Sequence, residues 1–251
     1  MEEQTSSPSS ASLTSLFFNI IASPSEAIDA LCDPPTRVST WVVPLIFLML
    51  VAALSPLTML NDGVRHQAME SQNRQLQARV ESGAMTQEQA DQATDYMERS
   101  GPTILIVMGM VGALIFTQLV FFGSAPFLWL TGRFALKGRA IFGKYLELWG
   151  TTQWIGVLGT LVALLMILGF QSLYASPSGA MAVLSSFEPT NTTHRLLASA
   201  NIFSVWQMCV VGIGLSKYAQ RKIGLGIAIA SGLWIIWVLI STFIVGAIMG
   251  M

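Results

Sequence analysis

Glu147 is the one carboxylate inside the long apolar stretches of this chain, and Lys144 stands three residues before it. An ionised group in a bilayer is costly and marks an ion or proton path, unless it lies near a helix end where long side chains reach the interface. The Glu147–Lys144 spacing favours an interfacial ion pair over a proton-coupled pump. Gln118, Gln153, Asn201 and Gln207 are the amide side chains in apolar surroundings. Interhelical hydrogen bonds worth about 0.6 to 2 kcal/mol each account for them; a solute pathway would need them to converge on one cavity. His66 and His194 fall into no metal-ligand motif. Gly224-Leu225-Gly226 lacks the strand and further glycine of a nucleotide loop. With no nucleophile paired to a base or metal, the expectation is a non-enzymatic protein without cofactor or metal.

The elements that position these residues follow from composition. Of 251 residues 53% are hydrophobic and 11% charged, and the mean hydropathy is +0.59. Soluble domains carry roughly a quarter charged residues, so a soluble enzyme is excluded. Crossing a hydrocarbon core takes about 20 apolar residues, and five stretches qualify: 40–60, 102–130, 146–170, 196–215 and 223–249. The expected fold is an all-α integral membrane bundle of five spans, 38–251, with its termini on opposite sides. No basic leader precedes it, so the first span reads as a retained anchor. Pro126 is expected to kink or end the second span. Small residues at four-residue spacing, Gly109 with Ala113, Gly159 with Ala163, and Gly224 with Ala228 and Gly232, are expected to let helices approach closely, within the bundle or in a homo-oligomer.

Residues 1–12 read as a disordered tail. Residues 13–37 read as two short helices on the cytoplasmic side. Leu13 to Ala22 carries one apolar face, suited to the interface or to packing on the bundle. Ser23-Pro24-Ser25-Glu26 has the form of a capping box that starts the second, which ends before Pro34-Pro35. Its Ala27, Ile28 and Leu31 form an apolar stripe, with Glu26, Asp29 and Asp33 on a solvated face. The polar segment 61–101 divides at Gly83, and Thr86-Gln87-Glu88-Gln89 repeats the capping pattern, giving two helices in a hairpin on the outer side.

Orientation follows from the cations of the short loops. Arg133, Lys137, Arg139 and Lys144 stand between spans two and three, and Lys217, Arg221 and Lys222 between spans four and five. Both loops lie on the N-terminal side, so the N-terminus is expected in the cytoplasm. Trp41, Trp129, Tyr145, Trp149 and Tyr218 fall near the same boundary. A net charge of −1 gives no reason to expect nucleic acid as a partner.

The order of features resembles the Yip1 domain family in its bacterial form. The residues that carry the resemblance run from Phe18-Asn19-Ile20-Ile21-Ala22-Ser23-Pro24-Ser25-Glu26-Ala27 through Leu31, Pro35, Trp41 and Pro44. Gly138 to Leu146 and Phe203-Ser204-Val205-Trp206 through Gly214 continue it. The resemblance implies a five-span bundle with a cytosolic N-terminus, and a role beside other membrane proteins, for example in assembly of an ABC export system. The Asp-Leu-Tyr-Gly-Pro motif of eukaryotic members is missing, so Rab binding is not carried over. Two functions stand at this point: an interaction or assembly factor for transport or trafficking machinery, and a small permease or lipid-handling protein built on the four amides. The partners expected are the lipid bilayer and other membrane proteins.

Overall fold

A computed structural model describes residues 11–32 and 35–249; most of the 1–12 tail and Asp33 lie outside them. The described residues are helical apart from turns and one isolated bridge, Ser178 to Asn201. The order is α1 (Leu13–Ala22), α2 (Pro24–Cys32), α3 (Ser39–Leu54), α4 (Asp62–Glu81), α5 (Gln87–Leu130), α6 (Phe142–Phe170), α7 (Thr192–Ser199), α8 (Ile202–Tyr218) and α9 (Ile223–Met249). Among the described residues four helical segments are long and apolar enough to cross a membrane: Ser39–Leu60, Thr103–Ala135, Phe142–Phe170 and Ile223–Ile244. α8, with 17 residues, is a shorter apolar helix.

Prolines and polar caps set the boundaries. Pro56 has no N–H for the Ala52 carbonyl, and the Ser55 hydroxyl donates to that oxygen instead at 2.7 Å while the chain tightens into a 3-10 helix, Ser55–Leu60. Asn61 then opens α4 by accepting from the Gly63 and Val64 amides. Gly83 ends that helix in the left-handed region (φ 74°), where the Gly83 and Ala84 amides reach the Val80 and Arg79 carbonyls. The Thr86 box forms in full: its hydroxyl accepts from the Gln89 amide at 3.2 Å, and the Gln89 side chain accepts from the Thr86 amide at 3.0 Å. α4 contacts α5, and Val64 of α4 and Ala90 of α5 are buried. α5 bends at Gly101 (φ 67°) and ends at Leu130, one turn past Pro126, in a π-turn, Thr131–Ala135.

The expected fourth span, 196–215, is corrected. Its first residues belong to α7, and the chain breaks at Ala200–Asn201 before α8 begins. Asn201 is the cause: its side chain accepts from the Phe203 amide at 2.9 Å, which caps α8 and leaves no continuous helix through that point.

In space the helices form a row, α5–α3–α6–α8–α9, with α6 at its centre and α1 and α2 laid against α6 and α8. α5 and α9, at the two ends, keep broad apolar faces uncovered, including Val107, Val111, Ile115 and Leu119 on α5 and Ile236, Trp237, Ile240 and Phe243 on α9. Acyl chains satisfy such faces where water would not. The core instead gathers α1 and α2 (Leu16, Ile20, Ile28, Leu31), Tyr145, Leu148 and Ile155 of α6, and Val211 and Leu215 of α8.

Close approach decides the seams. A Cβ on Gly150 would lie 2.2 Å from Trp41 Cβ and 2.4 Å from Trp41 Cα, so α3 rests on bare backbone of α6. Gly109 faces Pro56 and Gly159 faces Phe203, with Ala113 and Ala163 half-buried beside them. On α9 the Gly224, Ala228 and Gly232 face is not used within the bundle: a Cβ placed on Gly224 or Gly232 would meet no atom within 4 Å, and Ala228 is exposed. The seam against α8 runs two residues away, through Gly226, stacked on the Gly212 carbonyl, and buried Ala230. Two residues are about 200° of helix, which is the opposite side.

Gly150→Ala is therefore expected to lower stability in detergent by about 1–3 kcal/mol through overpacking. Gly112→Ala on α5, where nothing lies within 4 Å, is expected to be neutral or to stabilise by up to about 1 kcal/mol through helix propensity. Paired thermal melts followed by circular dichroism compare the two.

Candidate functional site

The polar side chains converge where the N-terminal helices meet the bundle. α3 begins without help from its own sequence, since Val38 at the N-cap offers no side-chain acceptor. Glu147 supplies one from α6. Its Oε1 accepts from the Arg37 amide at 2.5 Å and lies 3.0 Å from Thr40 Oγ1, so a carboxylate held 2% exposed serves as the N-terminal anion of another helix. Lys144 Nζ stands 3.3 Å from Glu147 Oε2 and donates to the Leu31 carbonyl at 2.6 Å, closing the C-terminal end of α2.

The same crossing answers a deficit created by Pro44. A proline inside α3 cannot donate to the carbonyl four residues back, which is that of Thr40. Thr151 Oγ1, one turn beyond Glu147 on α6, donates to that oxygen at 3.4 Å. Glu147, Gly150 and Thr151 thus form one face of α6 that serves the start of α3 three ways: an acceptor for the Arg37 amide just before it, room for Trp41, and a donor for its freed carbonyl.

A second anchor joins α2 to α8. Lys217 Nζ donates to the Ser25 carbonyl at 2.8 Å and to Ser25 Oγ at 2.6 Å, and sits 2.7 Å from Asp29 Oδ1. All three ammonium protons are accounted for. Beneath it the Tyr145 and Tyr218 rings meet edge to face at 5.6 Å. On α1, Phe17 packs on Trp154 at 4.9 Å, so the apolar face of this helix is laid against the bundle.

The expected capping box at Ser23 takes another form. The Ser23 amide donates to the Asn19 carbonyl and its carbonyl accepts from the Ala27 amide, so it closes α1 and opens α2 through its backbone. Among the described hydrogen bonds none uses its hydroxyl or Glu26, which is exposed. Pro24 is the first residue of α2. A turn this tight, with φ −139° and ψ 65° at Ser23, satisfies both helix ends with main-chain groups.

The four amides do not converge. Gln118 lies on an exposed face of α5. Gln153 is buried and donates to the Trp149 carbonyl in its own helix at 3.1 Å. Asn201 caps α8, and Gln207 reaches Thr152 across the α6–α8 seam at 3.5 Å. His194 Nδ1 accepts from the Glu188 amide, and its ring lies near that of Phe187. His66 lines an open cleft of about 570 Å³ along α4, with Glu70, Arg74 and Glu81. Among the described residues no group of three His, Cys, Asp or Glu side chains is placed to hold a metal ion. Lys217 was read from sequence only as an orienting loop cation, and Thr151 was not singled out. The signal for Thr151 is arithmetic, since Pro44 minus four names the carbonyl that must find a donor.

Compared with known proteins, the chain matches a family model described as Yip1 domain over residues 18–245. No curated protein and no solved structure matches it.

Removing Glu147 as Glu147→Ala leaves the Arg37 amide without its acceptor and a largely buried Lys144 without its counter-charge, and is expected to cost about 3–5 kcal/mol; Glu147→Gln keeps one acceptor oxygen and costs less. Thr151→Val is expected to cost about 1 kcal/mol. In a Pro44→Ala background that cost falls toward zero, because the restored amide at position 44 reclaims the Thr40 carbonyl. A double-mutant cycle on denaturation midpoints measures the coupling.

Proposed function

The chain belongs to the Yip1 domain family, and on that premise we propose that it is a non-enzymatic interaction or assembly factor for membrane transport or trafficking machinery. The observation that carries this reading is how the polar groups of the bundle are used. Thr40, Glu147, Thr151, Asn201 and Gln207 each bond a neighbouring helix or cap a helix end, while α5 and α9 turn wide apolar faces outward. Such a scaffold spends its polarity on its own shape and offers lateral surface to lipid and to other membrane proteins. A permease built on Gln118, Gln153, Asn201 and Gln207 finds no support in their separate positions. An accessory role to an ABC export system suits the family, and the α4–α5 hairpin on the outer side is a candidate contact for such a partner.

We read α8 as a fifth crossing. Its 17 residues span about 25 Å, short of the roughly 30 Å core but flanked by Asn201 and Lys217, which reach toward the two interfaces. Five crossings with the basic loops inside place the N-terminus in the cytoplasm and the C-terminus outside. The membrane we assign is the bacterial inner membrane.

Affinity purification from native membranes in mild detergent is expected to recover another transport protein reproducibly, an ABC transporter among the candidates, and to lose it on deletion of residues 70–97. Recovery alone, together with solute flux in liposomes, would count for the permease. Alkaline phosphatase fused after residue 251 is expected to be active and a fluorescent protein fused there dark; the reverse would mean four crossings.

A further inference from the structure

The two basic loops contain seven cations, and the fold uses them unequally. Lys144 and Lys217 are tied to Glu147 and Asp29 and to backbone carbonyls of α2. Arg221 Nε donates to the Leu136 carbonyl at 3.3 Å, which draws the α8–α9 turn against the loop that follows α5. Arg133, Lys137, Arg139 and Lys222 remain on this joined surface, all exposed. Among the described residues none of the four has a carboxylate within 4.0 Å. Among the described residues at this end, Glu147 and Asp29 are committed to holding α2 and α3, and Glu26 is exposed.

The surface is also apolar at its edge. Phe134 is 73% exposed and Ile141 65% exposed, within the same loop as the cations. Phe127 and Phe142 carry the exposed apolar face down toward α5 and α6, where Phe142 also meets Trp129 at 6.2 Å. A soluble anion would gain from the cations alone and leave these side chains in water. A phospholipid takes both, with its acyl chains against the phenylalanines and its phosphate among the guanidinium and ammonium groups. We propose that the joined surface of loop 131–144 and turn 219–222 is a binding site for the headgroup of an anionic phospholipid, with Arg133, Lys137, Arg139 and Lys222 as its cations. This holds whichever protein partner the bundle serves, because it rests only on the membrane boundary and the local charge.

The test uses full-length protein in a neutral detergent, given equal amounts of phosphatidylglycerol and phosphatidylcholine with identical acyl chains, and reads retained lipid by native mass spectrometry. One cation near an anionic surface contributes roughly fivefold, so wild-type protein is expected to retain phosphatidylglycerol on the order of tenfold or more over phosphatidylcholine. The variant R133Q/K137Q/R139Q/K222Q is expected to fall below about twofold, and K137R/K222R to keep the preference. If the fourfold variant does not fold, each single glutamine variant is expected to lower the preference in part. Equal retention of the two lipids by wild-type protein overturns the proposal. So does undiminished preference in the glutamine variants, or displacement of phosphatidylglycerol by an equal concentration of glycerol phosphate, which would make the site one for free anions.

Discussion

A carbonyl without a donor has nowhere to turn inside a bilayer, and Pro44 creates one at Thr40. Just ahead of α3 the Arg37 amide needs an acceptor from elsewhere in the chain. α6 answers both at one place, with Glu147 for the Arg37 amide, Thr151 for the carbonyl, and Gly150 so that Trp41 can come close enough for either bond to form. The interactions are interdependent. Without the glycine the hydroxyl and carboxylate would stand off, and without them the close approach would bury unpaired polar groups, each costly at low dielectric. The position of α3 and the register of α6 are therefore set by the same few atoms, and the rest of the row builds outward from α6.

The N-terminal helices extend this logic to charge. α1 and α2 are too short to hold themselves in place, yet Leu16, Ile20, Ile28 and Leu31 are buried. Their apolar faces bring them to α6 and α8, and Lys144 and Lys217 then pin the ends and flank of α2. These two cations serve the fold, while Arg133, Lys137, Arg139 and Lys222 of the same loops are left exposed on one surface. Structural and surface electrostatics are divided residue by residue within loops that look uniform in sequence.

Much of the architecture was legible from apolar length and punctuation. α1 and α9 were bounded as read, and the Thr86 box and Gly83 turn formed where their residue types require, because caps and left-handed turns are decided by a few adjacent residues. What was not legible depended on contacts across the chain. A length-and-hydropathy reading runs through Asn201 because an amide is tolerated in an apolar helix; only its bond to the Phe203 amide makes it a stop. Gly224 and Gly232 were read as a close-packing face within the bundle or a homo-oligomer, and the seam against α8 runs instead through Gly226, since spacing shows that small residues share a face but not which face a neighbour covers. Ser23 and Glu26 fit a side-chain cap by pattern, and the backbone of the α1–α2 turn had already met the need. The amide set was legible as polar residues and illegible as an arrangement.

The α3–α6 crossing has a further meaning in time. Arg37 and Glu147 are 110 residues apart, and at roughly 5–20 residues per second the ribosome takes on the order of 5 to 20 s to deliver the second after the first. Through that interval the opening turn of α3 has neither its anion nor its donor, and water or the insertion machinery must occupy both positions. The bonds that hold the opening turn of α3 to α6 can form only once residues 147–151 have been made.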